Sequence, residues 1–113
     1  MVDGLKDNQI FVFGSNRAGF HGGGAANFAY RNFGAEWGVG IGPAGKTYAI
    51  PTMNGDDLFK NTAMEFIEYA KQHPELEFLL TPVGTGIAGY DFDFINKLFK
   101  HLPANVTKVG DWR

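Results

Sequence analysis

Asparagine, histidine and glycine residues are concentrated in one segment near the start of the chain. Asn16 and His21 stand just before three consecutive glycines, Gly22–Gly24, and a segment with helical spacing of apolar residues follows. Consecutive glycines at a helix start leave backbone N–H groups bare and let a ligand come close to the main chain. Because the helix dipole adds partial positive charge there, we expect an anion site, most naturally for phosphate. The alternative is a glycine-rich turn whose amides bind water.

A second glycine-rich segment, Gly84–Tyr90, follows the apolar run 77–83. Its glycines fit the string G-x-G-x-x-G of dinucleotide-binding loops, but a single match of this kind is a weak signal. The acidic residue expected about twenty positions further on is missing, because His, Leu, Pro and Asn occupy positions 101–103 and 105. Neither segment is a Walker motif, since no Gly-Lys-Ser/Thr follows it. Only Arg17 is basic within the two segments, so we expect phosphate binding to depend on backbone N–H groups.

Each glycine segment lies between a predicted strand and a predicted helix. Apolar runs predict strands at 9–13, 46–52, 77–83 and 105–109, and helical spacing predicts helices at 23–32, between 57 and 74, and at 91–101. The segment 35–45 is either a loop or a twisted edge hairpin. The alternation predicts a three-layer α/β/α sandwich with a mostly parallel sheet, in which 77–83 is a central strand. Both glycine loops then lie at strand carboxyl ends, where ligands bind.

The amino-acid composition argues against several classes of function. The 113 residues predict one domain, with 1–8 as a loose lead-in, and the 44% apolar content excludes disorder as the main state. A net charge of −2 gives no basic field, which argues against nucleic acid as the partner. No cysteine, signal-peptide profile or transmembrane-length apolar run occurs. We therefore expect a cytoplasmic protein that binds a small molecule, with no metal, cofactor or membrane.

The two glycine segments resemble the macrodomain signature. In the first, Phe13-Gly14-Ser15-Asn16 is followed by a short spacer, by Gly22-Gly23-Gly24-Ala25-Ala26 and by a helix that ends at Phe33-Gly34. The run Thr81–Tyr90 is similar to the family's second loop, a strand followed by a glycine-rich turn. Order and strand–loop–helix context agree over residues 10–108. The chain also resembles small macrodomain-like proteins of bacteria and their phages.

The resemblance implies an ADP-ribose-type ligand. By residue-to-residue transfer, Asn16 would hold the distal ribose, Gly22–Gly24 would line that ribose and a phosphate, and Tyr90 would lie at the ribose end of the second loop. The second loop itself would wrap the diphosphate. The predicted ligand-binding residues are Gly14, Ser15, Asn16, Gly22, Gly23, Gly24, Gly84, Thr85, Gly86, Ile87, Ala88, Gly89 and Tyr90.

The chain departs from the family's pattern at its carboxylates. The adenine-recognising Asp of the family precedes the first motif, where only Asp3 or Asp7 stands to replace it. Hydrolytic members carry an Asp just after the glycine run or within the second loop. The first of these places holds Ala26 or Asn27, and the second holds Ala88.

Three residues remain as candidates for catalysis: Asn16, His21 and Asp91. Asn16 can orient water without deprotonating it, and His21 carries an imidazole, a side-chain type that often transfers protons in enzymes. Each has a structural alternative: a loop-capping asparagine, an exposed loop histidine without a role, and the N-terminal acid of the third helix. We therefore expect binding of ADP-ribose or a related nucleotide sugar, with at most weak ADP-ribosyl hydrolase activity. The alternative is a non-enzymatic interaction or decoy protein that sequesters a nucleotide-derived signal.

Overall fold

The computed structural model describes residues 4–113, and within them strands and helices alternate along the chain. The elements are β1 (Gln9–Ser15), α1 (Gly24–Asn32), β2 (Gly42–Ala44), β3 (Thr47–Pro51), α2 (Asp56–Gln72), β4 (Glu77–Leu80), α3 (Phe92–Leu98) and β5 (Val106–Lys108). The predicted α/β class is confirmed. Asp3, one of the two proposed replacements for an adenine-binding acid, lies outside the described residues.

One mixed sheet contains the five strands of residues 4–113, in the order β2-β3-β1-β4-β5. Strands β3, β1, β4 and β5 are parallel, and only β2 runs antiparallel, to β3. Segment 35–45 therefore contributes the short edge strand of a hairpin, which was one of its two interpretations. Strand β4 lies between β1 and β5, so the apolar run predicted at 77–83 contributes an interior strand, over its first four residues.

Strand β1 divides the core in two, because successive side chains of a strand point to opposite faces. Phe11 and Phe13 are fully buried in one apolar cluster with Ala26 and Ala29 of α1. Val12 is buried in a second cluster, which contains residues of α2 and α3 and the β4 residues Phe78 and Leu80. The helices that follow β1 and β4 thus pack into different clusters. The loops from β1 to α1 and from β4 to α3 therefore leave two neighbouring parallel strands toward opposite faces of the sheet. Such an arrangement opens a crevice at the carboxyl ends of the strands.

Several element ends differ from the predicted ones for local reasons. Strand β1 continues through Gly14 and Ser15, which pair with residues of β3. Strand β4 ends at Leu80, three residues early, because Pro82 has no N–H to donate to a neighbouring strand. Helix α3 begins at Phe92, since Asp91 has extended backbone angles and acts as its N-cap. No helix of the described chain is both long and apolar enough to cross a membrane.

Candidate functional site

A cavity of about 800 Å³ lies at the carboxyl ends of the parallel strands. This volume is in the range of small-molecule sites, about 300–1,000 Å³. Its walls come from four chain segments: the end of β1 with the first glycine loop, the residues after β3, the second glycine loop after β4, and Val109 and Gly110 after β5. The two glycine loops therefore face one shared space, as their predicted position on the sheet required.

The first loop presents unpaired backbone donors to this cavity. The first hydrogen bond at the helix start runs from the Asn27 N–H to the Gly23 carbonyl, at 3.1 Å. Within residues 4–113, the N–H groups of residues 23 to 26 donate to no protein acceptor, and all four residues line the cavity. Because this is also the positive end of the α1 dipole, the first loop is suited to an anionic group.

The second loop is a compact turn whose remaining donors also lie at the cavity. The Tyr90 N–H donates to the Gly84 carbonyl at 2.8 Å, and the Gly89 N–H donates to the Gly86 carbonyl at 3.0 Å. Among the described residues, the N–H groups of 84, 86, 87 and 88 have no protein acceptor, and these four residues line the cavity. The turn thus fixes its own shape while it leaves donors free for a ligand.

Two cavity glycines are not explained by the protein's own structure. A side chain at Gly23 or Gly86 would meet no atom within 4 Å, and neither backbone is in the left-handed region. Gly40 is different, because a Cβ there would lie 2.0 Å from the Asn16 carbonyl oxygen. Packing therefore requires glycine at 40 but not at 23 or 86. Bare backbone at these two positions is what close approach of a ligand would need.

The side chains of the cavity wall are neutral. None of the lining residues, all of them in the described chain, is Asp, Glu, His, Lys or Arg, and the exposed Arg17 does not line the cavity. The wall hydroxyls donate to backbone carbonyls: Ser15 to Gly40, Thr52 to Ser15, Thr81 to Val12 and Thr85 to Pro82. These hydroxyls hold the loops in place, so the donors left for a ligand are mainly the backbone N–H groups.

Asn16 lines the cavity and also closes the first loop. Its Oδ1 accepts from the Phe20 N–H at 2.9 Å, and its Nδ2 donates to the Phe20 carbonyl at 2.8 Å. The loop-capping role considered for this asparagine is therefore present. One amide hydrogen and one lone pair of the side chain stay free for a ligand.

His21 is fully buried rather than exposed on the loop, and it does not line the cavity. Its Nε2 lies 2.8 Å from the Glu36 carbonyl oxygen, so Nε2 carries the proton and donates it. The other ring nitrogen, Nδ1, is buried without a hydrogen-bond partner in the described residues. The ring packs edge-on against Phe13 and Trp37. These contacts give His21 a packing role.

Asp91 and Tyr90 also lie outside the cavity wall. The Asp91 carboxylate accepts from the Phe94 N–H at 2.8 Å, which caps α3. The Tyr90 hydroxyl donates to the Asp56 carboxylate at 2.6 Å, and this hydrogen bond raises the pKa of Tyr90. Of the predicted site, the cavity wall brings together Gly14, Ser15, Asn16, Gly23, Gly24, Gly84, Thr85, Gly86, Ile87 and Ala88, and it leaves out His21, Gly22, Gly89, Tyr90 and Asp91.

The sequence interpretation missed several wall residues. Thr52 and Met53 follow β3, and Val109 and Gly110 follow β5. Their position directly after parallel strands was a usable signal, because the carboxyl ends of such strands share one edge. Phe20 is a further omission, and it is 61% exposed at the cavity. Its place between Asn16 and the three glycines was visible, but its orientation depends on tertiary contacts.

No three His, Asp or Glu side chains of residues 4–113 lie close enough together to hold a metal ion. Comparison of the chain with protein-family models, with curated proteins and with solved structures found no match.

Proposed function

We propose that this protein binds ADP-ribose or a related nucleotide sugar, with the diphosphate held between the two glycine loops. The observation that carries the proposal is the pair Gly23 and Gly86. Both line the cavity, one from each loop, and neither packing nor backbone conformation requires glycine at these positions. Bare backbone on two sides of one cavity fits a ligand that approaches the main chain closely.

The free donors favour a diphosphate over a single phosphate. Residues 23 to 26 offer a row of N–H groups at the α1 terminus, and residues 84 and 86 to 88 offer a second row on the other loop. Hydrogen bonds to a charged group contribute about 1.5–3 kcal/mol each. Two rows of donors therefore suit two linked phosphates, and the cavity of about 800 Å³ leaves room for groups on both sides.

The fold we propose to accompany this function is a three-layer, macrodomain-like sandwich. Its support is the division of the core, in which α1 packs into one cluster and α2 and α3 pack into the other. The order β2-β3-β1-β4-β5 adds support, because the chain leaves β1 toward one side of the sheet and reaches β4 on the other. Ligand sites of open α/β sheets occur at such a reversal of strand order.

Binding without efficient turnover is the form of this function that the cavity wall favours. Hydrolysis at a ribose carbon needs a group that activates water, and general acid–base catalysis increases the rate by a factor of roughly 10²–10⁴. None of the wall residues in the described chain has an acidic or basic side chain. This same observation favours the second candidate, a protein that sequesters a nucleotide-derived signal without converting it.

Calorimetric titration with ADP-ribose tests the proposal. We expect the wild-type protein to bind, and we expect Gly23→Val and Gly86→Val to weaken binding by about ten- to a hundredfold, because each side chain fills the space that a phosphate would occupy. Both variants should fold, since nothing lies within 4 Å of either added Cβ. The matched control is Gly4→Val, at an equally unrestricted glycine that does not line the cavity. Undiminished affinity in both folded variants, or no wild-type binding, would defeat the proposal.

A further inference from the structure

Phe20 is held at the cavity in a defined position. Its side chain is 61% exposed, although its backbone N–H and carbonyl are both bonded to the Asn16 side chain. The Gly38 N–H donates to the Gly19 carbonyl at 2.9 Å, which ties this turn to the segment that carries Trp37. A large apolar side chain is thus kept in solvent by a turn whose own hydrogen bonds are satisfied.

Other aromatic rings support Phe20 from behind. The Trp37 ring stacks on it with a centroid distance of 5.9 Å and an interplanar angle of 29°. Tyr30 and the buried His21 pack edge-on against Trp37, at 5.6 Å and 6.1 Å. His21 is in turn anchored to the Glu36 carbonyl. Phe20 therefore belongs to an aromatic platform, defined here as Phe20 with Trp37. Trp37 is itself half exposed (53%), and the platform is tied to the protein interior through the buried His21.

We propose that this platform is the stacking surface for the purine base of the nucleotide ligand. The inference rests on the proposed function. Among the wall residues of the described chain, only Phe20 and Phe11 are aromatic, and Phe11 is fully buried. A planar ring that enters the cavity has Phe20 as its exposed aromatic partner. Stacking of a base on an aromatic side chain contributes about 1–3 kcal/mol.

This assignment changes the role of Asn16 and the orientation of the ligand. The resemblance implied that Asn16 would hold the distal ribose. In the structure its side-chain amide fixes the Phe20 backbone through two hydrogen bonds, so the hydrogen and the lone pair that it keeps lie beside Phe20, at the base end of the ligand. Asn16 is then a positioning residue for the platform. The base lies at the first loop, the diphosphate lies between the two loops, and the distal ribose extends away from Phe20.

Nuclear Overhauser effects in the complex of the full chain with ADP-ribose test the orientation. We expect contacts between the Phe20 ring protons and the adenine H2 or H8 protons. Contacts to the distal ribose protons without any to adenine would overturn the inference and leave the proposed function intact. Absence of any ADP-ribose binding by the wild-type protein would refute both the inference and the proposed function.

Variants at Phe20 supply the energetic test. We expect Phe20→Leu to weaken ADP-ribose binding about five- to a hundredfold, because leucine keeps apolar bulk but has no ring to stack. Phe20→Tyr keeps the ring and should retain binding within about threefold. Met64→Ala is the matched control, since Met64 is an exposed apolar residue (57%) that does not line the cavity. Equal affinity in wild type and Phe20→Leu would overturn the inference.

Discussion

His21 lies beside the three glycines in sequence, but its side chain does not face the cavity. The sequence interpretation gave it a possible proton-transfer role because histidine titrates near neutrality. Its burial, its bond to the Glu36 carbonyl and its edge contacts with Phe13 and Trp37 are those of a core side chain. The sequence placed His21 in the loop correctly, but the direction of its imidazole depends on contacts with Phe13 in β1 and with Trp37 in the segment after α1.

The variant His21→Phe separates packing from catalysis at this residue. Phenylalanine keeps a ring among the aromatic neighbours and removes both nitrogens, so we expect ADP-ribose affinity within about threefold of wild type and a stability change of about 1 kcal/mol. Calorimetry and urea unfolding measure the two quantities. Any slow hydrolysis should persist as well, whereas a catalytic His21 would lose roughly 10²–10⁴ in rate. The control is His101→Phe, at an exposed histidine that does not line the cavity.

Helices and strands were largely predictable because their signals are local. The apolar runs and the helical spacing predicted β1, α1, β3, α2, β4, α3 and β5, with errors of a few residues at their ends. The short β2 remained undecided, since a glycine-rich segment lacks a side-chain pattern. Which loop residues line the cavity was less predictable. Gly22 and Gly23 are identical in type and adjacent in sequence, and only the course of the backbone brings Gly23 to the wall.

Asn105 joins three elements in a way that its sequence position did not reveal. It stands just before β5, and its Nδ2 lies 2.9–3.0 Å from the carbonyl oxygens of Ala70, His73 and Leu76. Two of these carbonyls belong to the end of α2 and its cap, and each also accepts one backbone N–H: Ala70 from His73, and His73 from Leu76. The third belongs to the turn that enters β4. The side chain thus fixes the end of α2 against the sheet.

We expect Asn105→Ala to lower the free energy of unfolding by about 1–3 kcal/mol, because it removes the half-buried hydrogen bonds from this side chain to three carbonyl groups. Urea denaturation of the two proteins measures this difference. Asn32→Ala is the matched control, since Asn32 makes one exposed bond to the Phe28 carbonyl within α1, and we expect a change within about 0.5 kcal/mol. Equal losses in both variants would mean that the Asn105 contacts do not stabilise the α2 end.

At the scale of the whole molecule, the cavity combines free backbone donors with a wall that carries no charge. The four parallel strands bring their carboxyl ends to one edge, and both glycine loops leave from that edge. The nearest acid considered for catalysis, Asp91, is engaged in capping α3. An anion bound here meets dipoles of fixed orientation, whose strength does not depend on pH.

We therefore expect ADP-ribose affinity to change by less than about threefold between pH 6.5 and pH 8.5, since no wall group gains or loses a proton. We also expect little or no release of ADP-ribose from an ADP-ribosylated peptide, because the rate enhancement of roughly 10²–10⁴ that general acid–base catalysis supplies is missing. Calorimetry across pH and chromatography of the incubated peptide measure these outcomes. Asp91→Asn keeps a capping side chain, so its folded protein should match wild type in both assays. Efficient hydrolysis with a bell-shaped pH profile would show that a titratable group reaches the ligand after all.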